Sequence, residues 1–523
     1  MLDLIKAMLS TLLILKLSHR PFYGLDTLTS ANYLLPAVTT GLAALRRSCP
    51  QFNITHRWLV DPAIVTCAKQ REVIQDLLAK WYYLDRRPRA IPIILLGGGC
   101  QEAEYANQLA NAWNVLYITT ASVDATIRRK SQTPTWVTTS AISLDYGNLF
   151  KQLLQRYQWS SLAVIVDPYS ININQSRNIA GQIQRRLQAD GFKVLARDFA
   201  SLEDPISREL LAVIRESCRV VIYCGGARSL RNFFISATDN NMTDGEYVYL
   251  AVTPFDHPSY GKFHWQEFDN DDEKIRAAYR SLLLLKIYEV SNGSNDVADM
   301  LSIWKNLAEM DERIPANLIN NLPLPYLSST HMAFQLVGQV VGDLNSTVFR
   351  QPHQIDGTQL ARRMINKTFT IGSEAIAIDS LGVRLVGVTL QQFSSTSQKL
   401  ETILIVSETL NGTLVWQYKA PVSWFGRSSF PPNEPPCGYL GQSEVCIRRA
   451  GQGILVEAIG IGGGIVIFTG TLVMALIVKM YGRPINPGLD WWMLEPDIRW
   501  SLAHRKSSSL RRTQCMESVS SLL

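Results

Sequence analysis

Short runs of continuous apolar residues recur through the first half of the chain, separated by stretches with helical spacing. "IPIILLGGG" (91–99), "SLAVIVD" (161–167), "FKVLARDF" (192–199), "RVVIYCGG" (219–226) and "YVYLAVT" (247–253) each read as a strand, the first ending in a glycine turn. Between them, Leu149, Leu153, Leu154 and Tyr157 share one helical face, as do Ile179, Ile183 and Leu187. Strands apolar on both faces, alternating with amphipathic helices, predict parallel sheets covered on both sides, a doubly wound α/β fold. Further on, "TILIVSETLNGTLVWQY" (402–418) reads as two strands joined at Asn411-Gly412, a pair suited to a tight hairpin. Such a region of about 450 residues exceeds one ordinary core, so two lobes flanking a cleft are expected. Ligands of open α/β sheets sit at the strand carboxyl ends.

The pattern breaks at "AIGIGGGIVIFTGTLVMALIV", Ala458 to Val478, which carries no charge. A membrane-spanning helix needs ~20 apolar residues, so a span over 454–478 is expected. Seven Asn-x-Ser/Thr sequons precede it, at Asn53, Asn174, Asn241, Asn292, Asn345, Asn366 and Asn411, and none follows. Behind it, Lys479, Arg483, Arg499, Arg505, Lys506, Arg511 and Arg512 face four acids. Both asymmetries place the large N-terminal part outside the cell and residues 479–523 in the cytoplasm, at the plasma membrane. Immediately before the span, "PPNEPPCGYLGQSEVC" carries four prolines that stiffen the backbone, and Cys437 and Cys446 that can close a small loop in an oxidising compartment.

Two readings of the N-terminus stand. "LIKAMLSTLLILKLS" has the apolar core of a signal peptide, and "LLILKLS" within it suits a first core strand. Of eight cysteines, Cys515 falls in the tail, leaving an odd number outside and Cys49 as the candidate free thiol. Cys218 and Cys224 flank one strand, too far apart to pair with each other. The net charge of +6 includes the basic tail, so no nucleic-acid partner is implied. Glycine runs at "GGGC" (97–100) and "YCGGARSL" lack the P-loop lysine and read as tight turns. His257 and His264, seven apart, read as solvated loop residues, not a metal site. No nucleophile elbow, zincin or kinase signature appears, so an enzyme is disfavoured.

Several longer stretches resemble, in order, the ligand-binding region of receptor guanylate cyclases and natriuretic peptide receptors. They are "YGLDTLTSANYLLPAVTTGLAAL", Cys67 with Trp81 and "GGGC", "WVTTSAISLDYGNLFKQLLQRYQWSSLAVI", "RVVIYCGGARSLRNFFISATDNNMTDGEYVYLAVTPF", "DGTQLARRMINKTFTIGSEAIAIDSLGVRL", the Cys437–Cys446 stretch, and "DWWMLEPDI" beyond the span. The resemblance implies a bilobed, type I periplasmic-binding-protein-like ectodomain with two doubly wound parallel sheets. Lobe one is then expected at 12–138 and 262–356, lobe two at 139–261 and 357–436, and a juxtamembrane disulfide loop at 437–453. It implies the disulfides Cys67–Cys100 and Cys437–Cys446, and a dimer face at Trp81. Gly460 and Gly464 form a G-x-x-x-G that brings two such spans together, as a homodimer or with a related receptor. It also implies a chloride site, but the family's anion-binding hydroxyl falls on Val60, leaving only the backbone of Gly99 and Cys100 as donors. The family's kinase-like and cyclase domains have no counterpart in 479–523. The expected function is a single-pass receptor for an extracellular peptide or small molecule, without its own catalysis or cofactor. The alternative is a clearance or decoy receptor, or a dimerisation partner.

Overall fold

The computed structural model describes residues 10–17, 28–59, 67–85, 93–98, 102–121, 125–199, 205–288, 295–311, 314, 316–342, 356–371, 374–440, 442–443, 446 and 469–480. The chain divides into two compact units, Met1–Ile447 and Arg448–Leu523.

The first unit holds two sheets. The five-stranded one comprises β1 (Ser10–Leu17), β2 (Phe52–Leu59), β3 (Ile93–Gly97), β4 (Leu116–Thr119) and β5 (Trp136–Thr138). Its order is β2-β1-β3-β4-β5, with every pairing parallel. The N-terminal apolar stretch is therefore a strand, placed between β2 and β3. Side chains of a strand alternate between faces, and each face here meets its own helices. Ile94, Leu96, Leu116, Ile118 and Val137 pack with Val38 and Leu42 of the helix Ala31–Ser48 and with Phe334 and Val337 of the helix Leu324–Gly342. Ile93, Leu95, Tyr117 and Trp136 pack with Ile74 and Leu78 of the helix Cys67–Lys80 and with Ala106 and Ala110 of the helix Ala103–Ala112.

The second sheet repeats the plan. β6 (Ser161–Val166), β7 (Lys193–Asp198), β8 (Val220–Cys224), β9 (Val248–Thr253) and β10 (Leu282–Tyr288) run parallel in the order β7-β6-β8-β9-β10. Leu162, Val164, Ile222 and Leu250 face the helices Tyr146–Arg156 and Ile173–Ala189. Ala163, Ile165, Val221 and Tyr249 face the helices Pro205–Ser217, Ala227–Asp239 and Asp272–Tyr279. A two-stranded ribbon follows, β11 (Lys367–Ile371) with β12 (Glu374–Ile378). The second sheet is then extended beyond β10 by three antiparallel strands, β13 (Gly387–Ser394), β14 (Lys399–Glu408) and β15 (Leu414–Tyr418). The expectation of two purely parallel sheets is corrected on this point: the Asn411-Gly412 hairpin joins the second sheet and makes it mixed.

The lobe boundaries also move. Lobe two runs on to Tyr288, not 261, because β10 ("LLLLKIY") pairs with β9 and β13. Lobe one continues past 356, because Leu360, Ala361 and Met364 bury themselves with Ile94 and Leu116. Gly357 is held against lobe one by its N–H on Asn114 O (2.9 Å). The chain therefore crosses between lobes at 138–145, after Tyr288, and at 379–387. The first and last crossings lie side by side: Thr138 N donates to Gly382 O (2.8 Å) and Arg384 N to Thr138 O (3.2 Å).

In the second unit a helix covers 469–480, with Leu472, Val473, Met474, Leu476, Ile477 and Val478 exposed. Among the described residues no helix is long and apolar enough to cross a membrane. The rest of the expected span, with Gly460 and Gly464, lies outside the described residues.

Candidate ligand-binding seam

Doubly wound sheets bind ligands beyond their strand carboxyl ends, and in the first unit those ends gather around one buried cluster. It contains Val166 and Cys224, the last residues of β6 and β8, and Phe255 and Tyr260, which follow β9. From lobe one it contains Leu28, Tyr33 and Leu34 at the start of the helix Ala31–Ser48, Ala121 beyond β4, and Tyr326 and Leu327 of the helix Leu324–Gly342. Phe255 packs edge-on against both Tyr260 and Tyr326, centroids 5.4 and 5.7 Å apart. The seam is walled by aromatic rings from both lobes.

Its polar groups are largely neutral. Tyr260 Oη donates to Gln175 Oε1 (2.5 Å), and Asn172 Nδ2 to Ser259 Oγ (2.9 Å). Burial pushes the phenols of Tyr146, Tyr260 and Tyr326 up, so all three stay protonated. His257 is 5% exposed, and burial lowers its pKa. Its Nε2 meets Asn321 O at 3.0 Å and its Nδ1 meets Ser259 Oγ at 2.9 Å. This corrects the expectation of a solvated loop histidine. His264 is exposed and accepts from Gln266 N through Nδ1, and the two rings are not brought together. Among the described residues no group of His, Cys, Asp and Glu could hold a metal ion.

Among the described residues, the one buried carboxylate at the lobe-two edge is Asp167, following β6. Its Oδ1 accepts from Tyr169 N (2.9 Å). Gly225 must be glycine here, because a Cβ would lie 2.5 Å from Asp167 Cβ. Among the described residues, the buried polar atoms without a hydrogen bond include three beside this seam: Ser30 Oγ in lobe one, Tyr146 Oη and Gln175 Nε2 in lobe two. Buried polar atoms are nearly always paired, so these three are suited to meeting a ligand or ordered water. Of these seam residues the sequence singled out Cys224 and His257, neither of them as part of a site; the signal available for the rest was their position just past each predicted strand.

The other site residues expected from sequence fall as follows. Cys437 and Cys446 are bonded, Cα atoms 5.4 Å apart. Gly99 and Cys100 lie outside the described residues, so neither the chloride donors nor the Cys67–Cys100 pair is described. Cys49, Cys218 and Cys224 are free and buried. Burial pushes the Cys218 and Cys224 thiols up to about 11 and about 12. Asn53, Asn174, Asn241, Asn366 and Asn411 are exposed; Asn292 and Asn345 lie outside the described residues. Trp81 is 2% exposed, packed among Ile74, Leu78 and Leu95. It is a core residue, which corrects its assignment to a dimer face. The exposed groups beside it are Tyr83 (56%) and Leu84 (68%), with Tyr82 stacked on Trp113 at 3.9 Å.

The disulfide loop is fixed to lobe two at the amino ends of its strands. Asn433 Oδ1 accepts from Ser160 N (2.7 Å) and Ser161 N (2.9 Å), and Trp159 Nε1 donates to Pro431 O (2.9 Å). The buried Arg219 guanidinium sits 4.7 Å from the Tyr247 ring and 5.2 Å from the Tyr439 ring, and donates to Tyr439 O (3.2 Å).

A family model for the receptor family ligand binding region matches residues 69–390. The chain is similar to atrial natriuretic peptide receptor 3 of Bos taurus, at 25% identity over 195 residues covering 37% of this chain and 36% of the relative. It is similar to the speract receptor of Strongylocentrotus purpuratus, at 23% over 407 residues covering 68% and 35%. To atrial natriuretic peptide receptor 2 of Bos taurus it is 20% identical over 448 residues, covering 83% and 40%. The chain thus spans 35–40% of the length of these relatives. The matched segment runs from lobe one into β13 of lobe two, and the chain belongs to the family of receptor ligand-binding regions shared by natriuretic peptide receptors and receptor guanylate cyclases.

Proposed function

We propose that this chain is a single-pass cell-surface receptor whose two lobes take an extracellular ligand at their seam and pass the change to the membrane through the disulfide loop. The observation that carries the reading is the meeting of both sets of strand carboxyl ends in one aromatic seam, within a segment matched to receptor ligand-binding regions. The membrane assignment rests on the uncharged run 458–478, of which 469–480 is helical with apolar side chains exposed. The five exposed sequons support an extracellular first unit. Exposed Tyr83 and Leu84, beside the half-buried Tyr82 and Trp113, offer a face for self-association, in place of Trp81. The test is expression with an N-terminal epitope. Surface labelling of intact cells, a mobility shift on deglycosylation and saturable binding of an iodinated natriuretic peptide or of secreted peptide fractions support the reading. An unglycosylated protein inaccessible from outside overturns it.

A further inference from the structure

Asp167 is a buried charge for which the described residues supply no cation. It is 5% exposed and follows Val166, a member of the seam cluster. Its Oδ1 accepts from Tyr169 N (2.9 Å), and its own N–H donates to Cys224 O (3.1 Å) at the end of β8. Its Oδ2 accepts no hydrogen bond and meets no Lys, Arg or His among the described residues. Tyr223 Oη, which has Gly225 as a neighbour in common with Asp167, donates to Gly226 O (3.3 Å) instead. A buried carboxylate without a cation is costly, and folded chains nearly always pair it. The helix Ala227–Asp239, whose N-cap is Gly226, offers Oδ2 only the partial positive charge of a helix start, about half a unit.

This oxygen lies beside the aromatic wall. A Cβ at Gly226 would stand 3.9 Å from Asp167 Oδ2 and 3.6 Å from Tyr260 O, so the carboxylate and the Tyr260 backbone flank the same bare glycine. Ala227 N donates to Tyr260 O (2.7 Å) and holds it there. The Tyr260 hydroxyl is engaged with Gln175 Oε1 (2.5 Å), which leaves Gln175 Nε2 without an acceptor. We infer that the seam takes a small primary ammonium ion, its N–H groups on Asp167 Oδ2 and its apolar stem against the rings of Tyr260, Phe255 and Tyr326. The inference rests on the seam being the ligand site and names what that site takes. A divalent metal needs several oxygen ligands, and no such group gathers among the described residues. A guanidinium fork wants two carboxylate oxygens, and here Oδ1 is engaged by Tyr169 N. A quaternary ammonium has no N–H for Oδ2. A primary ammonium is a compact donor that fits one free oxygen.

The test is hydrogen exchange of the full chain in 167–170 and 254–261. The probes are methylammonium chloride against sodium chloride, and 2-phenylethylamine against 2-phenylethanol. A probe as small as methylammonium binds no tighter than millimolar, so the titrations run through that range. Both amines should slow exchange in the two segments together, while sodium and the alcohol leave it unchanged. Asp167→Asn should weaken the amines by about tenfold or more. That variant keeps an acceptor for Tyr169 N and loses only the charge, so without amine it should melt no lower than wild type. No protection by either amine overturns the inference, and so does equal protection in Asp167→Asn. A lower melting temperature of Asp167→Asn also overturns it, by making the carboxylate structural. A secreted ligand that protects the seam equally in wild type and Asp167→Asn overturns the ammonium and leaves the seam standing as the ligand site.

Discussion

Arg219→Ala tests how the disulfide loop is joined to lobe two. The guanidinium is desolvated and donates to Arg215 O (2.6 Å), Cys218 O (3.1 Å) and Tyr439 O (3.2 Å), between the Tyr247 and Tyr439 rings. The 3.7 Å contact with the exposed Glu246 adds little, as surface ion pairs do. Only the Tyr439 bond and its ring contact reach the loop. A hydrogen bond from a charged donor is worth about 1.5–3 kcal/mol and a partly desolvated cation–π contact about 0.5–2. Allowing for overlap, removal costs the attachment ~2–3 kcal/mol. A two-lobed chain unfolds in more than one step, so the assay is local: hydrogen exchange of the amides of Gly438 and Ser443, which donate to Pro435 O and Cys437 O. At about 1.4 kcal/mol per tenfold, exchange there should quicken by roughly 30–150-fold, with the β6 and β8 amides little changed. A double cycle with Tyr439→Ala should show coupling of ~1–2 kcal/mol. Exchange within about twofold of wild type, or no coupling, would refute the attachment.

Lys130→Met should stabilise the fold at pH 6 by ~2–4 kcal/mol, read from thermal unfolding. A lysine held at about 7 when folded and near 10.5 unfolded binds fewer protons in the native state, so its cost is complete below about 7 and fades as pH rises toward 10.5. The variant's advantage should shrink across that range, and an advantage that grows with pH would contradict it. Gly357→Ala should destabilise lobe one by ~2 kcal/mol or more, because its Cβ would lie 2.5 Å from the Leu116 backbone nitrogen, and backbone cannot step aside; an unchanged melting temperature would rule this out. Surface crosslinking should trap a dimer that weakens on Tyr83→Asp and on Gly464→Ile. Crosslinking that shows monomers alone would remove self-association.

The parallel strands were legible because burial on both faces leaves a continuous apolar run, as in "SLAVIVD" and "YVYLAVT". β2 was not, because "FNITHRWL" buries one face only and interleaves Asn53, Thr55 and Arg57. The helix that begins at Gly357 and carries Arg362 and Arg363 showed no sign of its lobe, since that depends on contact with Asn114, far away in sequence. Trp81 looked the same in sequence whether packed inward or presented outward. The seam was the least legible. Tyr146, Tyr260 and Tyr326 come together only when both lobes are folded.

The central claim is that ligand is taken between the lobes. The most direct measurement is hydrogen exchange of the purified chain, with and without size-fractionated secretions of the source organism. Active fractions should slow exchange together in 254–261 of lobe two and 320–330 of lobe one. A fraction that binds and protects only 81–85 and 103–113, leaving the seam unchanged, would place the ligand on the outer aromatic face and contradict the account.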